Sequence, residues 1–379
     1  MAVIFWGDCM GGYGQIAIVD VSPENAQYFS RSIGSILNVM PHDSKVGKFA
    51  DGEVNVKVGQ SVRGKDVYIF QSYQEPIGER LYELQNAVSA TRGEAERVNA
   101  VLPYCFGMRG ERPTKERESV QLEVVVRTLY SMGIKKIITV GLHTDAVITI
   151  FKVVGEKEGI KVEHLSFNAL AANYIINHAK EKAYDSVVLG GPDVGSSKMV
   201  DDISIIISQN SSLKTDLAIG QKRRLSKDKV EIVNIIGDVK GKQVYSIDDA
   251  FDTGGSKRKF VEKCIAYGAH EVTPIAIHPV CGKGFEENLG MLVQNPHVPE
   301  IVFGDTIPIK GSALANSKVK ILPLEPFVAE AIRRVNANKS MSELHQYSEI
   351  VKLYKESKLE FNPKHVVVGK PAKLLETVN

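Results

Sequence analysis

Asp248, Asp249 and Asp252 stand close together, and Thr253-Gly254-Gly255-Ser256 follows them directly. Each part of this run has its own chemical use. Backbone N–H groups of a Thr-Gly-Gly-Ser turn, together with two hydroxyls, can be aimed at a phosphate, and a helix beginning there adds a favourable dipole. The acids cannot serve the same phosphate, because like charges repel. Carboxylates beside a phosphate loop suit hydroxyls, from which they accept hydrogen bonds, or Mg²⁺. The run therefore reads as a site for a phosphorylated sugar. Its plain alternative is an ordinary strand-to-helix turn with solvated acids.

Such a loop needs a strand to deliver it and a helix to receive it. Gln243–Ile247 is an apolar strand candidate, and residues 256–267 have helical character. Further strand candidates are 67–71, 98–102, 136–140, 186–189 and 272–277, alternating with helix candidates at 78–92, 119–132 and 169–181. Leu122, Val125, Val126 and Leu129 fall on the 3.6-residue period of one core-facing helix side. Strand–helix alternation with continuous apolar strands predicts an α/β fold of mainly parallel sheets flanked by helices. Ligands of such sheets bind beyond the carboxyl ends of the strands, where the Asp248 run falls. The pattern occurs twice, with strands ending at His143 and Asp193 on either side of a boundary near residue 160. The predicted divisions are 1–160, 161–325, and a helix and tail over 326–379. The segment from Met10 to Val21 has no assigned role.

The chain has 379 residues, enough for two cored domains, and a formal net charge of +2 that gives no global attraction to nucleic acid or membrane. Phosphate binding must be local. Four separated cysteines without a C-x-x-C pair predict reduced thiols rather than a metal site. No signal peptide and no apolar run long enough to span a bilayer is evident, which predicts a cytoplasmic protein.

Other segments carry chemistry of their own. Phe49, Asp51 and Glu53 combine a flat apolar face with acceptors, the set a purine needs, although such a turn is commonly an exposed hairpin. Arg109 and Arg112 after a strand make a clamp for polyphosphate. His143 and Asp193 each end a strand; the first has the alternative of a structural histidine, the second of a helix N-cap. Lys222-Arg223-Arg224 ends another strand, where a charge run is commonly a solvated face.

Taken in order from Val46 to Arg334, these segments resemble the ribose-phosphate pyrophosphokinase (PRPP synthetase) family, and the Asp248 run resembles the 5-phosphoribosyl-1-pyrophosphate (PRPP) loop of type I phosphoribosyltransferases. The resemblance implies two tandem phosphoribosyltransferase-like domains, an N-terminal one for ATP and a C-terminal one for ribose 5-phosphate. It implies ATP contacts from Phe49, Asp51, Glu53, Arg109, Arg112 and His143, with the first three crossing a subunit boundary. Asp248, Asp249, Asp252, Thr253, Gly254, Gly255 and Ser256 would bind ribose 5-phosphate, His143 and Asp193 would face Mg²⁺, and Lys222 and Arg224 would be catalytic. The implied reaction is ATP + ribose 5-phosphate → PRPP + AMP, in a homo-oligomer built from dimers, as in the family's hexamers.

The sequence departs from the family pattern at several places. Gly110 and Glu111 replace Gln and Asp of P-Y-F-G-Y-A-R-Q-D-R, Gly141 replaces Asp of D-L-H, and Gly191-Pro-Asp-Val-Gly-Ser196 stands for S-P-D-x-G-G. The departures at Gly110, Gly141 and Ser196 give some weight to an alternative, a non-catalytic regulatory subunit of the same fold. A transferase that consumes PRPP would account for the Asp248 run but not for Phe49–Glu53 or Lys222–Arg224. The kinase reading requires the cations of 222 and 224 and the acid-rich turn near 250 to face one pocket.

Overall fold

The computed structural model describes residues 13–142, 144–155, 157, 159–224, 230–309 and 316–357. The first half of these residues forms strands β1 (Ile16–Asp20), β2 (Ser44–Lys48), β3 (Val54–Val58), β4 (Asp66–Phe70), β5 (Arg97–Val101), β6 (Lys136–Val140) and β7 (Lys161–Leu165). Helices α1 (Tyr28–Leu37), α2 (Ile77–Thr91), α3 (Gln121–Ser131) and α4 (Asp145–Ile150) lie between them. β1, β4, β5, β6 and β7 pair in that order as a parallel sheet, while β2 and β3 form a separate antiparallel hairpin. β4 and β5 are buried along their whole length, as strands covered on both faces must be. The predicted apolar stripe of α3 is buried at all of Leu122, Val125, Val126 and Leu129.

The second half contains β8 (Ser186–Gly191), β9 (Lys214–Arg224), β10 (Val230–Ile236), β11 (Gln243–Phe251), β12 (Glu271–Pro279), β13 (Ile301–Gly304) and β14 (Val319–Leu322). Its helices are α5 (Asn168–Glu181), α6 (Ser197–Asn210), α7 (Gly255–Ala266), α8 (Phe285–Gln294), α9 (Glu325–Asn336) and α10 (Tyr347–Ser357). The sheet order is β10-β9-β8-β11-β12-β13-β14, parallel except for the β9–β10 pair. Each half is thus a mainly parallel sheet flanked by helices.

Three expectations change. Residues 16–20, within the segment left without a role, are the first strand of the first sheet and are almost wholly buried. β7 pairs with β6, so the first sheet continues to Leu165, past the boundary expected at 160. The tail is not an appendage over its described part. α9 and α10 place Phe327, Ile332, Ile350 and Tyr354 in one apolar cluster with Ile18, Phe70 and Ile138 of the first sheet and Leu189, Tyr245 and Ile275 of the second. Burying each of these large side chains contributes about 1.5–3 kcal/mol, so the two sheets share a core.

Polar groups fix how the sheets meet. His278 of β12 approaches the Gly141 carbonyl through Nε2 at 2.9 Å and Thr306 Oγ1 through Nδ1 at 2.8 Å. Nearby, Asp305 accepts from the Leu324 N–H at 2.9 Å and hydrogen-bonds to Glu325; burial first, then the Glu325 charge, holds its carboxyl well above the ordinary range. A carboxyl raised in this way stabilises the fold most at low pH and loses that contribution as pH rises through the raised value. Asp305→Asn keeps the acceptor for Leu324 and gives Glu325 a permanent donor. The variant is predicted to gain denaturant stability relative to the parent as pH rises above the ordinary carboxylate value of about 4, and to lose that advantage at more acid pH. Parallel stability–pH curves would contradict this.

Candidate functional site

β11 runs from a buried apolar stretch straight into its acids, so Asp248 and Asp249 are strand residues at the carboxyl edge of the sheet. The chain then turns through Thr253 and Gly254 into α7. Gly254 has φ +80° and its α-carbon faces the Phe251 ring, so a side chain there would be strained and would strike the ring. The Gly255 N–H donates to Thr253 Oγ1 at 3.4 Å, and Asn288 of α8 donates to the Thr253 carbonyl at 2.8 Å. The turn is therefore closed on itself and held from behind, with the N-terminus of α7 directed at the space before it.

Three acids at this edge meet a cation. Lys257, in the first turn of α7 and only 6% exposed, donates to Asp248 Oδ2 and to the Ala250 carbonyl. Burial pushes Asp248 up to about 6; the Lys257 ammonium opposes that rise and Asp249 adds to it. Asp252 accepts from Arg109 Nη1 at 2.6 Å, a contact that crosses from the loop after β5 to the acid loop of the second sheet. Asp193 follows β8 and caps the turn before α6, its Oδ1 accepting from the Gly195 N–H at 2.9 Å. Its Oδ2 accepts from Lys222 Nζ at 3.1 Å.

Lys222 reaches Asp193 because β9 is longer than its neighbour. Residues 214–219 pair with β8, whereas 219–224 extend past Gly191 and pair with β10. β8 lies between β9 and β11, so the Lys222 end of β9, Asp193 and the Asp248 run share one carboxyl edge. The β9 backbone extends through Arg224, whose side chain, like His143, lies outside the described residues.

Arg112 is 80% exposed at its side chain and lies near Glu111 at 3.6 Å. Phe49 is 56% exposed. Its hairpin tip is closed internally, with Glu53 N–H donating to Asp51 Oδ1 at 3.0 Å and Gly52 N–H to the Phe49 carbonyl at 2.9 Å. Among the described residues, no hydrogen bond or ion pair joins this tip to the acid loop of the same chain.

A sequence profile of the N-terminal domain of ribose phosphate pyrophosphokinase matches residues 18–133, and one of the phosphoribosyl synthetase-associated domain matches residues 179–346. The chain is 31% identical over 318 residues to a ribose-phosphate pyrophosphokinase of Clostridium acetobutylicum, covering 84% of this chain and 93% of that protein. It is 34% identical over 304 residues to one from Caldanaerobacter subterraneus, covering 80% and 89%. The chain belongs to the ribose-phosphate pyrophosphokinase family. The phosphoribosylpyrophosphate synthetase of Mycobacterium smegmatis shares its fold, with a TM-score of 0.72 at 24% identity over 86% of this chain and 99% of that one.

Against the pyrophosphokinase pattern, the departures acquire physical reasons. Gly191 stands where the family has Ser, and Ser196 where it has Gly. A β-carbon on Gly191 would fall on Ser196 Oγ, which itself donates to the Asp193 carbonyl at 2.7 Å. The hydroxyl has moved along the chain while staying beside the same turn. At Gly110 the missing side chain's space is taken by Gln121, whose Oε1 lies 2.9 Å from where a β-carbon would be. An amide is again present, from another segment. Gly141 has φ +54°, and a β-carbon there would lie 2.9 Å from the Ile277 side chain and 3.0 Å from His278. An Asp at 141 would push the two sheets apart, so that departure belongs to the interface.

Lys257, Gln121, Ser196 and Asn288 were not among the predicted site residues. Only the position of Lys257, immediately after the Ser256 hydroxyl, offered a signal in the sequence. The swap makes a prediction. Gly191→Ser alone should destabilise the protein by about 1–3 kcal/mol through overpacking, and adding Ser196→Gly should recover most of the loss in denaturant unfolding. Additive losses would refute the exchange.

Proposed function

We propose that this chain is a ribose-phosphate diphosphokinase that transfers the β,γ-diphosphate of ATP to the 1-hydroxyl of ribose 5-phosphate, releasing PRPP and AMP. The observation that carries this reading is the Lys222–Asp193 contact at the edge from which the Asp248 run emerges. A cation for a transferring polyphosphate and acids for sugar hydroxyls converge there from adjacent strands.

In this reading Thr253, Gly254, Gly255 and Ser256 hold the 5-phosphate, and Asp248 and Asp249 accept from the ribose hydroxyls. Asp252 joins the loop to Arg109. Arg109, Arg112 and His143 bind ATP, with Phe49, Asp51 and Glu53 of a second copy reaching the base. The exposed, self-contained hairpin tip supports that last assignment and hence a homo-oligomer. Asp193, and by the family pattern His143, would hold Mg²⁺ that travels with the nucleotide's phosphates, Asp193 offering a single carboxylate for it. The metal ion when bound would neutralise triphosphate charge. Lys222 is 28% exposed at its side chain, so it can leave Asp193 for the phosphates. Lys222 and Arg224 then meet the charge that develops as the anomeric oxygen attacks the β-phosphorus in line and the bond to AMP breaks. The work required is positioning and charge stabilisation, as in other phosphoryl transfers.

The alternative, a non-catalytic subunit, drew its weight from the departures at 110, 141 and 196. Two of them are compensated in space and the third has a packing reason, so they are not signs of decay. The direct test is incubation of the purified chain with Mg-ATP and ribose 5-phosphate. AMP and PRPP should appear in equal amounts; ATP remaining intact would support the regulatory reading. Lys222→Ala should lower kcat by about 10²- to 10⁴-fold while changing KM values far less. Near-normal turnover in that variant would exclude Lys222 from the reaction.

A further inference from the structure

Lys257 is in a place where a lysine is expensive. It is 6% exposed, and it lies in the first turn of α7, where the helix dipole disfavours a cation. Its ammonium is nevertheless fixed by two acceptors, Asp248 Oδ2 and the Ala250 carbonyl, 5.8 Å from the centre of the Phe251 ring. Asp249 is the next residue, buried, with its N–H donating to Asp248 Oδ1 at 3.0 Å. Two adjacent carboxylates at a desolvated strand end require a cation, and in this chain the cation is covalently part of the loop.

The contrast with Asp193 sharpens the point. Its lysine partner is solvent-accessible on the end of a strand and can withdraw in favour of another cation. Lys257 is enclosed, and its displacement from Asp248 would leave a buried ammonium with only a carbonyl. A divalent ion at Asp248 would add its charge directly beside this ammonium. Asp248 does not fit a metal site.

We propose that Lys257 is a positioning residue that serves as the resident counter-ion of the sugar site, holding Asp248 as an acceptor for ribose hydroxyls, so that ribose 5-phosphate binds without a divalent cation. This rests on the reading of the Thr253–Ser256 turn as the sugar-phosphate site. Magnesium is then needed for the nucleotide and not for the sugar.

The test is calorimetric titration of the full-length protein with ribose 5-phosphate, without nucleotide, in EDTA and in millimolar MgCl₂. The parent protein should bind in both, with dissociation constants agreeing within about threefold. Lys257→Met, of similar length and uncharged, should bind about 10- to 100-fold more weakly in EDTA and recover most of that loss when Mg²⁺ or Mn²⁺ is added. The variant should also gain a Mn²⁺ site, read by electron paramagnetic resonance, that the nucleotide-free parent lacks. Parent binding that requires Mg²⁺ would overturn the counter-ion role while leaving the sugar site standing, and this arm does not depend on the variant's folding. A folded variant that binds as tightly as the parent in EDTA, or whose loss metal does not repair, would likewise overturn it. Absence of sugar binding in every condition would overturn the sugar site itself.

Discussion

Charge crowding at one sheet edge is the constraint on which this molecule is built. Parallel strands β8 and β11 bring Asp193, Asp248, Asp249 and Asp252 towards the same side, and carboxylates gathered in this way repel each other unless cations are interleaved. The chain draws those cations from three different places: Lys222 from the overrunning end of β9, Lys257 from the start of α7, and Arg109 from the other half of the molecule. The arrangement of strands is thereby tied to the arrangement of charge. Lengthening β9 past β8 is what brings Lys222 to Asp193, and docking the first sheet against the second is what brings Arg109 to Asp252.

The three pairs differ in burial, and burial determines what each can do. An exposed lysine–carboxylate pair contributes roughly 0–1 kcal/mol and can be exchanged for a stronger ligand. A buried one is costly to break, because the partner left behind is desolvated and uncompensated. Lys222 and Arg109 are therefore suited to contacts that open when phosphates arrive, and Lys257 to one that stays closed. Uniting two such behaviours on one edge suits a site that must hold a sugar rigidly and meet a polyphosphate late, since charge met only in the transition state lowers the barrier without overbinding the substrate.

Much of this was legible in the residues. β6 coincides with the predicted strand over 136–140 because an apolar β-branched run leaves little choice, and the α3 stripe lies where its periodicity required. The glycine turn was legible for a local reason, since strand, acids, turn and helix follow one another without interruption. What escaped was whatever depends on the chain folding back. Ser196 compensates Gly191, and Gln121 fills the space at Gly110, through contacts that no spacing rule announces. Gly141, a departure from the family's Asp, is a close approach between sheets. β1 was missed because its four apolar residues, ending on Asp20, gain meaning only when paired with β4. The described tail, rich in Lys and Glu, hid Ile350 and Tyr354, which reach the common core.

The central claim is that one carboxyl edge carries an exchangeable cation for the nucleotide and a fixed one for the sugar. A crystal structure of the protein with ribose 5-phosphate and a non-transferable ATP analogue measures both at once. The account predicts the 5-phosphate against the amides of residues 253–256, Lys222 moved from Asp193 to the polyphosphate, and Lys257 still on Asp248. Phosphate density remote from that turn, or Lys222 left on Asp193 while Lys257 swings out to the ligand, would contradict it.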